Sequence, residues 1–79
     1  MRTRVVQTSK GEFIPQVLEG KTWFSKGHWK GIQQLGETVF YVWKDVSEQL
    51  SKCAKETYEE ARAVTLALEV YNQKEEKLK

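Results

Sequence analysis

At 79 residues with a formal net charge of +2 and one cysteine, the chain has room for a single domain and excludes an intrachain disulfide or a multi-cysteine zinc site. Met1–Gln7 is basic but no apolar stretch follows it, and no apolar run approaches the ~20 residues of a spanning helix. The expectation is a soluble, cytoplasmic protein with no membrane partner. Charge is uneven: residues 1–44 carry seven Lys/Arg against three acidic residues, whereas 45–79 carry six against eight. A basic half of this kind can face a polyanion.

Taken in chain order, residues 3–8 and 12–18 are predicted to form a β-hairpin. Val5, Val6, Phe13, Ile14, Val17 and Leu18 supply strand formers. Ser9-Lys10-Gly11 suits a type I turn closed by a left-handed glycine in a bulge. Pro15 cannot donate to a ladder, so its strand is expected at a sheet edge or bulged there. Residues 19–36 are punctuated by Gly20, Gly27, Gly31 and Gly36 and read as the least regular stretch, with a short strand through His28–Gln33.

Thr38–Trp43 is a strand by composition, and both of its faces are apolar. Val39, Tyr41 and Trp43 point one way, Phe40 and Val42 the other. Its second face therefore calls for a cover, either the 20–30 loop or another subunit. The apolar phase Val46, Leu50, Ala54 runs into Ala61, Val64, Leu68 and Tyr71, so one helix over 46–73 is favoured. The alternative is a short strand at 50–55 with the helix starting at Thr57, where Thr57 and Glu60 form a capping-box pattern. Residues 74–79 are expected to fray.

Interleaved rings and lysines fill Lys21–Lys30. Rings stack on bases and lysines neutralise phosphates, so Lys21, Trp23, Lys26, Trp29 and Lys30, with Arg2 and Arg4, are the candidate nucleic-acid contacts. The same tryptophans and Phe24 could instead cap a small core while the lysines stay wet. A second stripe on the helix, Ala63, Leu66, Ala67 and Val70, is a candidate partner interface, and with the two-faced strand it points to a homodimer. His28 has no recognisable nucleophile or orienting carboxylate, and Cys53 reads as a buried apolar residue. No catalytic residue, metal site, cofactor or small-molecule substrate is expected.

The succession of hairpin, aromatic strand and Thr57-Tyr58-Glu59-Glu60-Ala61 resembles small sheet-plus-helix accessory proteins of bacteriophages. The helix start, with Gly27-x-Trp29-x-Gly31-Ile32, is also similar to three-stranded DNA-binding domains of tyrosine recombinases and plant ethylene-response factors. That resemblance implies a sheet, rather than a helix, that meets DNA. It does not extend to those families' strand arginines, since only Arg2, Arg4 and Arg62 occur here.

The reading is thus one domain over 1–79: an α+β fold whose three- or four-stranded antiparallel sheet is crossed by a C-terminal helix. Its expected role is that of a non-enzymatic accessory module binding DNA or RNA. The competing role is a homodimeric interaction module or a modulator of a host protein.

Overall fold

A computed structural model describes the backbone of residues 1–78 and the side chains of residues 1–73. Strands β1 (Thr3–Gln7), β2 (Phe13–Lys21), β3 (Lys26–Gln34) and β4 (Phe40–Trp43) precede helices α1 (Val46–Lys52) and α2 (Tyr58–Leu78). The strands form one antiparallel meander in the order β1-β2-β3-β4, and α2 packs across it, giving the expected α+β architecture.

Local chemistry sets the first hairpin. Gly11 adopts φ +85 and its amide donates to the Thr8 carbonyl at 3.0 Å. The Thr8 hydroxyl accepts from the amides of Lys10 and Glu12. These bonds close the turn and set the register Gln7↔Phe13.

β2 is not an edge strand, contrary to expectation, because it pairs with both β1 and β3. Antiparallel ladders alternate the direction of successive amides. The Leu18 amide bonds the Arg2 carbonyl toward β1, and the Phe13 amide bonds the Lys55 carbonyl on the opposite side. Pro15 therefore aims its missing donor at a seam. There the β3 ladder, first registered at Gln16↔Gly31, gives way to the isolated bridge Phe13↔Lys55.

The stretch 20–36 is also more regular than its glycines suggest. It contributes the end of β2 and all nine residues of β3, and it does not fold back over the sheet. Part of the second face is instead covered by α1, which leaves Val39 and Tyr41 exposed. The row Arg4–Gln16–Gly31–Trp43 crosses all four strands. Gly31 lies so close under α1 that a Cβ there would meet Gln49 Cγ at 2.7 Å and Cys53 Sγ at 2.9 Å.

A buried polar chain holds α1 down. Arg4 Nε donates to Gln16 Oε1, Gln16 Nε2 donates to Gln49 Oε1 at 2.8 Å, and Gln49 Nε2 donates to the carbonyls of Trp29 and Lys44. Gln49 is only 3% exposed, and this network pairs both ends of its amide as burial demands. Asp45 occupies the N-cap of α1 without a side-chain cap bond.

The helix predicted over 46–73 is thus two helices. Phe13 and Lys55 exchange both backbone hydrogen bonds, at 2.8 and 2.7 Å. This bridge interrupts the helix and carries the chain from one face of the sheet to the other. The opposite face holds the core of Val17, Ile32, Val64 and Leu68, flanked by Phe40 and Val42. At the start of α2 the Glu60 amide donates to the Thr57 hydroxyl at 3.2 Å, and that hydroxyl donates to the Glu60 carboxylate. The amide bond is the expected half of a capping box. Helical backbone continues to Leu78. Lys79 and the side chains of 74–78, where fraying was expected, lie outside the described residues.

Candidate nucleic-acid interface

The β2–β3 hairpin outruns its neighbours. Pairing with β1 is registered no further than Thr3↔Val17, with one more bond from Leu18 to Arg2, and pairing with β4 begins at Gly31↔Trp43. Residues 19–28 are therefore a two-stranded ribbon projecting from the sheet, with rungs Glu19↔His28 and Lys21↔Lys26.

Thr22 and Ser25 exchange backbone hydrogen bonds at the apex, which leaves Trp23 and Phe24 as the two residues of the turn. The Thr22 hydroxyl accepts from the Phe24 amide, and the Ser25 hydroxyl accepts from the Gly27 amide. Neither ring residue has positive φ, so the turn lacks the primed geometry that matches strand twist. Gly20 and Gly27, at φ +75 and +79, lie directly behind it and take up the mismatch. A Cβ on Gly27 would come within 2.8 Å of the Glu19 carbonyl.

Trp23 is 92% and Phe24 93% exposed, so neither caps the core. Burying a ring of this size removes ~150–250 Å² from water. At ~25 cal/mol per Å² the hairpin leaves unrealised about 4–6 kcal/mol per ring. Behind the rings the rung is a lysine pair, Lys21↔Lys26, and no acid occurs between Glu19 and Glu37 in the sequence.

The predicted contacts do not form one surface. Lys21, Trp23 and Lys26 gather at the hairpin end, and Phe24, absent from the predicted set, joins them. Its signal in the sequence is the bracketing of two rings by hydroxyl residues, Thr22-Trp23-Phe24-Ser25. Trp29 and Arg4 lie lower, on the α1 side, where the Arg4 guanidinium sits 3.9 Å from the Trp29 ring centroid. Lys30 alternates to the α2 side and pairs with Glu19 at 3.0 Å. Arg2 is exposed beside the end of β1. Arg4, Trp29 and Lys30 are thus engaged within the protein, while Lys21, Trp23, Phe24 and Lys26 project.

Of the partner stripe, Leu66 and Val70 are 45% and 51% exposed, Ala63 is exposed and Ala67 half-buried. All four line a shallow open groove of about 630 Å³ between α2 and the loop joining β3 to β4. Cys53 is fully buried, and burial pushes its thiol up to about 11, which keeps it neutral at ordinary pH. His28 is exposed on the ribbon opposite Glu19. Among the described residues no helix is long and apolar enough to cross a membrane. Comparison with family models, with characterised proteins and with solved structures finds no match.

Proposed function

We propose that this protein is a non-enzymatic accessory module that binds nucleic acid through the β2–β3 hairpin. One observation carries the reading: two adjacent rings, each more than nine-tenths exposed, stand on a braced turn between Lys21 and Lys26. Rings supply stacking that tolerates any base, and lysines supply phosphate neutralisation with counterion release. The sheet face opposite α2 is partly occupied by α1, so the hairpin, rather than the sheet face suggested by the recombinase resemblance, is the surface presented.

Fluorescence anisotropy of labelled oligonucleotides, read across a salt series, tests the proposal. Affinity should fall steeply as salt rises, and Lys21→Gln or Lys26→Gln should each reduce the slope of log K against log salt by about one. Salt-independent binding, or slopes unmoved by both substitutions, would remove the hairpin lysines from the site.

A second reading has its own observation. The exposed Leu66 and Val70 beside an open groove favour α2 as a protein-binding face, for a second copy of the chain or for a host protein. Such a face binds with little salt dependence, which separates it from the first reading.

A further inference from the structure

Resting on the nucleic-acid reading, we infer that the hairpin's ligand is a duplex, opened at a base step by insertion of Trp23 and Phe24. Three features lead there. A ring that serves as a platform for an unpaired base offers one face and packs the other against protein. Trp29 has that character, with Arg4 against its ring. Trp23 and Phe24, at 92% and 93% exposure, have both faces bare, which is what a ring needs to sit between two bases.

Shape points the same way. Binding of a single strand uses a groove that tracks the backbone, whereas this apex is a convex projection. From the Glu19↔His28 rung to the turn is three residues, or about 10 Å at ~3.3 Å per residue. DNA grooves are about 8 Å deep, so the rings reach the base stack while Glu19, the nearest acid, stays outside. Finally, the Lys21↔Lys26 rung lies two residues behind the rings, about 7 Å at ~3.3 Å per residue, near the height of the groove's phosphates. The hydroxyl-to-amide bonds of Thr22 and Ser25 stiffen the turn that must bear on the stack. Apolar wedges of this kind unstack a step and distort the duplex.

The test is relaxation of closed circular plasmid by a type I topoisomerase in the presence of the protein, alongside anisotropy with matched single- and double-stranded oligonucleotides. The wild-type protein should lower the linking number of the relaxed product. Trp23→Ala/Phe24→Ala removes two solvent-exposed rings and so keeps the fold, which circular dichroism checks. It should bind duplex on the order of tenfold or more weakly, retain the salt dependence, and leave the linking number unchanged at saturation.

Saturating duplex binding by the wild-type protein without a change in linking number overturns the inference and leaves the nucleic-acid reading standing. So does a double variant that still changes it, or single strands bound tenfold more tightly than duplex. Absence of binding to either form by folded protein overturns both, and binding to anionic phosphatidylserine vesicles alone would assign the rings to a lipid surface.

Discussion

Gly31 shows how a single missing side chain sets an architecture. Its position directly beneath Gln49 and Cys53 lets α1 lie on the sheet, and the Gln49 Cγ and Cys53 Sγ atoms that a Cβ would strike are held in a buried corner. Gly31→Ala should therefore destabilise the protein by about 1–3 kcal/mol, read as a lowered urea midpoint with unchanged slope. Cys53 lies in the same corner. Its folded thiol has a pKa raised to about 11 by burial, from an ordinary value of 9.0. The folded state therefore holds this proton to higher pH than the unfolded chain does. The associated stability is intact below pH 9 and declines as pH rises through about 11. Cys53→Ala, followed by chemical denaturation from pH 8 to 11, should flatten that part of the decline. At pH 8 the native thiol should react with iodoacetamide far more slowly than it does in denatured protein.

At the scale of elements, α1 is seven residues long, too short to persist without tertiary contacts. Gln49 is its principal anchor. Gln49→Ala strands the Gln16 amide and two backbone carbonyls, and should cost about 1–3 kcal/mol. Amide exchange over 46–53 should accelerate more than over α2. The first hairpin was legible from Ser9-Lys10-Gly11 and the strand formers on either side, because its turn chemistry is local. The break between the helices was legible only as the alternative, through the Thr57–Glu60 cap that starts α2. Val46, Leu50 and Ala54 keep helical phase with Val64 and Leu68, yet Val46 and Leu50 are exposed. What divides the helix is a backbone bridge to distant Phe13, which no local pattern encodes. The glycines at 20 and 27 misled similarly: they read as loop punctuation but sit inside a paired ribbon, correcting its twist. The candidate site was half legible. Ring-and-lysine composition marked a segment that includes the projecting hairpin, but which rings project depends on where β1 and β4 stop.

For the whole molecule, the two sides of the sheet have separate uses. α2 covers the apolar core on one side, α1 covers the glutamine network on part of the other, and the β2–β3 hairpin extends beyond both. The outer stripe of α2 remains exposed, so Leu66→Asp should leave the protein folded, with stability within about 0.5 kcal/mol of wild type. If two copies pair through this stripe, sedimentation of the variant should show the monomer mass where the wild type shows a dimer. The central claim concerns the hairpin tip, and tryptophan emission reports on it directly. Oligonucleotide titrated into wild type and into Trp23→Phe, at low and physiological salt, isolates the Trp23 signal by difference. The account predicts a saturable change in that difference, weakening sharply as salt rises. No change in the Trp23 emission at either salt, from protein shown to be folded, would contradict it.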